Sequence, residues 1–132
     1  MKGPIMPIFD DSLVRYELNV DFDDIPVRGN AVCSGDDDLD ASVEQEIYDR
    51  LVGGDVWAWA SVQVTAYYDG IDHVVGQDFL GCCCYDDEED FKACGYYDDM
   101  KDRAREDLYM QIESILARFG CIDPANTPGC TD

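Results

Sequence analysis

Basic residues are what this chain has least of. Only nine of its 132 residues are Lys or Arg, and only three of those are Lys. A chain so poor in cations does not grip nucleic acid or an anionic membrane surface by charge. Histidine is nearly absent too. The single His73 sits beside a turn, whereas nucleophilic catalysis needs a base within reach of a thiolate or hydroxyl. An acidic surround also raises a thiol's pKa and suppresses its reactive form. There is no C-x-x-C pair and no glycine-rich phosphate loop. No apolar run approaches the roughly 18–20 residues of a membrane span. The N-terminus, MKGPIMPIFDD, lacks a continuous apolar stretch and turns acidic at once, which predicts no signal peptide. Together these absences predict a non-enzymatic protein with no catalytic residue and no cofactor.

Metal binding meets similar obstacles. Asp36, Asp38 and Asp40 fit positions 1, 3 and 5 of a calcium loop, but Ala41 stands where the turn needs Gly and Ile47 where it needs a bidentate Glu. Seven Cys is an odd number, and Cys82, Cys83 and Cys84 are contiguous. On a strand, Cys82 and Cys84 share one face and Cys83 points the other way, so the three do not converge on one ion. Cys94, Cys121 and Cys130 remain free to approach one another in space. The pattern predicts reduced thiols used as small buried hydrophobes in a reducing cytoplasm, with no metal site.

What the chain does have is acid. Thirty Asp and Glu give a formal net charge of −21, and 23 of the thirty are Asp. Acids chosen only for solubility on helices would favour Glu, the better helix former. Asp holds its charge close to the backbone at lower entropy cost, which suits charges presented at fixed positions. The competing explanation is that Asp fills caps and turns. Disorder is not expected, because 46% of residues are apolar and they fall in periodic segments.

Residues 1–12, with Pro4 and Pro7, read as an extended lead-in. LVRYELNVDF (13–22) alternates polar and apolar residues as a half-buried strand does. Residues 23–38 read as a loop. Leu39, Val43, Ile47 and Leu51 form a helical stripe capped near Asp38 or Asp40 and ended by Gly53-Gly54. DVWAWASVQVTAYY (55–68) reads as a strand with a small Val/Ala face, leaving room for a closely packed helix, and an aromatic and polar face. After Asp69-Gly70 a second strand is expected at 73–85, in a hairpin with a somewhat long loop. A helix over 97–119 has Met100, Ala104, Leu108, Ile112, Ile115, Leu116 and Phe119 on its apolar face and Gly120 as its stop. The tail, with Pro124, Pro128 and Gly129, reads as irregular. The expectation is one α+β domain over 1–132, an antiparallel sheet in β-α-β-β-α order with both helices on one face.

Candidate partner-binding residues follow from charge clustering. They are Asp36, Asp37 and Asp38; Asp86, Asp87, Glu88, Glu89 and Asp90; and Asp98, Asp99, Asp102 and Glu106. The last set repeats at i, i+3 and i+4, a row of anions in regular geometry. Trp57, Trp59 and Tyr67 add candidate aromatic anchors, since the other face of their strand already supplies a core; a second small core is the alternative use. Acids clumped in this way point to a basic partner, especially a surface built to hold nucleic acid. Acids kept purely for solubility, as in halophilic proteins, are the competing class, and a metal-binding protein is the third.

VWAWASVQVTAYYDG (56–70) and FLGCCCYDDEEDFKACGYYDDM (79–100) resemble small acidic proteins encoded by phages and mobile elements. The shared pattern is a W-A-W strand, an L-G-x-C-x-Y strand and a helix start reading EEDFxxxGYYDDM. Residues 1–40 lie outside the resemblance. It implies a phage or mobile-element setting inside a host cytoplasm. The resemblance implies that genomic context rather than a mechanism; a phage origin favours an inhibitor of a host defence protein, such as a CRISPR effector or a restriction enzyme, and acidic nucleic-acid mimicry is a common route to one. The expected partner is a basic nucleic-acid-binding host protein, with no direct binding of nucleic acid or membrane; monomer and dimer stay open.

Overall fold

A computed structural model describes residues 9–119. The lead-in around Pro4 and Pro7, the stop at Gly120, the irregular tail, and Cys121 and Cys130 lie outside the described residues. Six main elements follow in order: β1 (Val14–Phe22), α1 (Asp37–Val52), β2 (Ala60–Tyr68), β3 (Ile71–Cys83), α2 (Glu88–Ala93) and α3 (Tyr96–Phe119). Two short 3-10 turns, Asp11–Leu13 and Val56–Ala58, precede β1 and β2. The three strands form one antiparallel sheet in the order β1-β2-β3. The fold class is α+β, as the hydrophobic periods imply.

The core lies between the sheet and α3. Ala60, Val62, Val64 and Ala66 of β2 are fully buried, as are Met100, Ala104 and Leu108 of α3, with Ile112 nearly so. The two sets belong to one cluster. Period two on the strand and period four on the helix thus meet as the pattern requires. Small residues let the helix come close. At Gly76 of β3, an added Cβ would lie 2.8 Å from the Leu108 Cα and closer still to the Ala104 carbonyl oxygen. No side chain fits between the two backbones at this crossing.

Four expectations need correction. First, α1 does not share the sheet face with α3. Its Val43, Ile47 and Leu51 pack instead on Val27, Ala58 and Trp59 in a separate cluster, and Leu39 is exposed. The cause is the second correction: the chain does not enter β2 at Asp55. The Asp55 carboxylate accepts the Trp57 N–H (3.1 Å) and closes a 3-10 turn, so the strand begins only at Ala60. This turn is what α1 packs against. Third, the β2–β3 connection is short. Tyr68 pairs with Ile71 across Asp69-Gly70, with Gly70 at φ 94°. Fourth, DDEED begins a helix of its own. The Asp87 carboxylate accepts the Asp90 N–H (2.9 Å), and the resulting α2 buries Phe91 completely.

Candidate functional site

The acids divide into two kinds by what they touch. Many Asp are tied to the backbone. Asp10, Asp36, Asp55 and Asp87 cap the starts of helices or 3-10 turns. Asp23 accepts the N–H groups of Ile25 (2.9 Å) and Cys82 (2.6 Å), and Asp107 accepts that of Gln77 (2.9 Å). Asp40 accepts the Ser34 hydroxyl (2.6 Å), and Asp90 the Asp86 N–H (3.0 Å). Much of the preference for Asp over Glu is therefore local backbone chemistry, where the shorter side chain has the right reach.

Asp98, Asp99, Asp102 and Glu106 of α3 are the other kind. Asp99, Asp102 and Glu106 are exposed and alternate with the buried Met100, Ala104 and Leu108, which puts them on the side away from the sheet. None of the three accepts a hydrogen bond or joins an ion pair among the described residues. Asp98, one turn before Asp102, meets Lys101 at 3.6 Å with its own side chain 76% exposed, a contact worth little at such exposure. The helix rise sets Asp98, Asp102 and Glu106 about 6 Å apart along the axis.

Two of the three nearby cations, both arginines, turn away from this ridge. Arg103 reaches to β3 and pairs with Asp78 at 3.0 Å. Arg105 reaches to the N-terminal 3-10 turn and pairs with Asp11 at 2.6 Å. Lys101 lies over the Tyr97 ring at 4.7 Å. The two arginines fasten the helix to the sheet and to the chain before it, so that Lys101 at Asp98 is the one ion pair on the ridge among the described residues. Like charges one helical turn apart each cost a few tenths of a kcal/mol.

The 86–90 cluster leads into α2, which packs against α3. Within it Asp86, Asp87, Glu88, Glu89 and Asp90 are all exposed. Glu88 pairs with Lys92 at 2.9 Å, and Glu89 has no ion-pair partner among the described residues. Asp36, Asp37 and Asp38 stand apart from it at the start of α1, with Asp36 engaged as the cap. The far end of that helix is the end held near Asp86: Arg50 donates to the carbonyls of Tyr85 (2.6 Å) and Asp86 (3.4 Å) and pairs with Asp55. Fourteen residues of helix separate Asp36 from Arg50 by about 21 Å. Asp36–Asp38 are thus not part of the same patch.

The aromatic anchors are corrected more sharply. Trp57 and Trp59 are only 8% and 2% exposed. The 3-10 turn breaks the alternation that would have placed them side by side on an open face. Trp57 packs on Phe91 (5.4 Å) and Tyr85 (6.5 Å). Trp59 enters the α1 cluster and donates its indole N–H to the Ile25 carbonyl (2.7 Å), satisfying the polar end of the ring. Neither can anchor a partner without unfolding its surroundings. Tyr67 is half-buried on the sheet face opposite α3, where its hydroxyl donates to Glu17 at 2.6 Å and Arg15 lies over its ring at 4.9 Å.

The three contiguous thiols divide between solvent and core. Cys82 and Cys84 are exposed and Cys83 is buried. Burial, reinforced by Asp23, pushes the Cys83 thiol up to about 11. His73 lies nine strand residues from Cys82, about 30 Å along β3, too far to serve as its base. Among the described residues no group of three or more His, Cys, Asp or Glu could hold a metal ion, and no helix is long and apolar enough to cross a membrane. No protein-family model, curated protein or solved structure matches the chain.

Sequence reasoning missed Arg50, which ties α1 to the segment leading into α2. It also missed that Arg103 and Arg105 leave their own helix. Alternation of buried and exposed positions on α3 gave the ridge; nothing in the pattern gave the destinations of two long side chains.

Proposed function

We propose that this is a non-enzymatic acidic protein that occupies the nucleic-acid-binding surface of a basic protein in the cytoplasm of a host cell. The setting suggested by the resemblance makes that partner a defence protein, such as a CRISPR effector or a restriction enzyme. The observation that carries the reading is the α3 ridge. Asp99, Asp102 and Glu106 make no hydrogen bond or ion pair among the described residues, stand in regular spacing, and have Arg103 and Arg105 paired elsewhere. Acids kept for solubility need no such order, and acids kept for caps are hydrogen-bonded. The cluster at 86–90 adds exposed acids at the start of α2. A surface of this kind steers a basic partner from a distance and repels nucleic acid itself.

The test is competition. A fluorescent DNA duplex is bound to a candidate effector or restriction enzyme, and this protein is titrated in. Release of the duplex, with no ternary complex at saturation, is the expected result. Retention of duplex and protein together on the same partner contradicts mimicry.

A further inference from the structure

The outer edge of β1 has a hydrogen-bonding pattern of its own. At one end of the β1–β2 register the Asp69 N–H donates to the Leu13 carbonyl (2.9 Å); at the other the Asp23 N–H donates to the Trp59 carbonyl (3.1 Å). The register between them runs without a bulge. Hydrogen-bonded and non-hydrogen-bonded pairs alternate in an antiparallel ladder. The odd-numbered residues of β1 therefore bond to β2, and the even-numbered ones present their N–H and C=O groups outward.

Two of the outward N–H groups are already taken. Val14 donates to the Asp11 carbonyl, and Phe22 donates to the Asp21 carboxylate (2.8 Å). The three between them, on Tyr16, Leu18 and Val20, have no acceptor among the described residues. Together they form a ledge of three donors, two residues apart, closed at both ends.

Edge strands are usually blunted with Pro, Lys or a bulge. β1 has none of these. The opposite edge is treated differently: Asp107 accepts the Gln77 N–H group of β3. What guards β1 is negative charge. Glu17 and Asp21 stand on the strand, and its one cation, Arg15, is paired with Asp69 at 2.8 Å. Of the α3 acids, Asp102 acts on Tyr16 of this strand. Lys101 approaches the Tyr16 ring at 5.8 Å, and burial, opposed by Arg105 and reinforced by Asp11 and Asp102, raises the Tyr16 hydroxyl pKa. The open donors thus run beside Glu17, Asp21 and Asp102, with Lys101 and Arg105 as the cations that face the strand from α3.

We infer that β1 is a docking ledge for an extended basic segment of the partner protein, which adds as a fourth strand beside Glu17, Asp21 and Asp102. Main-chain bonds to Tyr16, Leu18 and Val20 supply the register, and the acids select for Lys and Arg. A second copy of this chain is the wrong occupant, since each copy carries −21 charges. The inference rests on the proposed binding of a basic protein and adds where and how the contact forms.

The test uses the full chain, labelled for amide hydrogen exchange by NMR, and three nine-residue peptides. One alternates Lys and Val, one alternates Lys and Pro, and one alternates Glu and Val. The Lys–Val peptide is expected to slow exchange at Tyr16, Leu18 and Val20 by roughly tenfold or more. The Lys–Pro peptide carries the same charge but is poorly suited to continue a ladder, and is expected to give no such protection. The Glu–Val peptide is expected not to bind. Failure of Lys–Val to bind, binding without protection of the three amides, or equal protection by Lys–Pro would each overturn the ledge. Protection that rises with protein concentration in the absence of peptide would instead assign the edge to self-association. Binding without edge protection leaves the competition experiment above unaffected, so the two readings fail separately.

Discussion

Gly76→Ala isolates the contact that the whole fold depends on. The added methyl carbon would meet the Ala104 carbonyl oxygen, the Leu108 N and the Leu108 Cα, the last at 2.8 Å. All three are backbone atoms, so no rotamer change relieves the clash. Ordinary contact begins near 3.4 Å, so α3 must retreat by about 1 Å. A gap of that size forfeits a quarter to a half of each dispersion contact along the interface. Overpacking of a core costs typically 1–3 kcal/mol, and a backbone-to-backbone clash belongs at the top of that range, about 3 kcal/mol. The midpoint of thermal unfolding, followed by circular dichroism, is then expected to fall by about 10 °C. Gly53→Ala is the matched control. Gly53 has φ −77°, and its added carbon would lie 3.4 Å from the Arg50 carbonyl. It is expected to leave stability unchanged within about 0.5 kcal/mol or to raise it slightly. Should Gly76→Ala melt with the wild type, α3 does not cross the sheet at this point and the core described above is wrong.

Further outcomes follow from the same structure. Leu108→Ala and Ile112→Ala, which empty buried sites on α3, are each expected to cost roughly 2–5 kcal/mol in urea unfolding. Trp59→Phe deprives the Ile25 carbonyl of its donor and is expected to cost about 1–3 kcal/mol, with Trp59→Leu worse. Arg50→Lys keeps the charge but not the fork that reaches Asp55 and the Tyr85 carbonyl, and is expected to cost roughly 1–3 kcal/mol. Alkaline pH is expected to weaken the fold. The Cys83 thiol rises from 9 to about 11 on folding through burial, so the unfolded chain gives up its proton first. Stability is full below pH 9 and is lost as pH rises from 9 towards 11. A Cys83→Ala variant, scanned over the same range, should lose part of that slope.

The parts of the fold carried by repeating patterns were legible in the sequence. The alternation in 13–22 and in 60–68, and the four-residue repeat of Met100, Ala104, Leu108 and Ile112, found their elements and faced them correctly. Alternation misled at Trp57 and Trp59, because a single side-chain acceptor, Asp55, bends the chain into a 3-10 turn. A period-two pattern does not reveal a hydrogen bond that ends it. The misplacement of α1 has the same source, since its partner is that turn and not the sheet. The helix at 88–93 was hidden because five consecutive acids shortly before Gly95 resemble a loop, while Phe91 alone provides its buried face. The acidic ridge was readable from spacing. Its sparse pairing was not, since that depends on which way Arg103 and Arg105 reach.

Reversing the ridge tests the proposed role most directly. Asp98, Asp102 and Glu106 are changed together to Lys, and separately Glu46, Asp49 and Asp72, which are exposed elsewhere. The two triple variants change net charge equally, and both are compared with the wild type in displacing a DNA duplex from its basic partner at physiological salt. Screening acts over about 8 Å there, so distant charges contribute little. The ridge variant is expected to need at least roughly tenfold more protein for half-displacement, the equivalent of about 1.4 kcal/mol, while the control stays close to wild type. Equal losses in the two variants would mean that only total charge matters, and the ridge would then have no role as a binding surface.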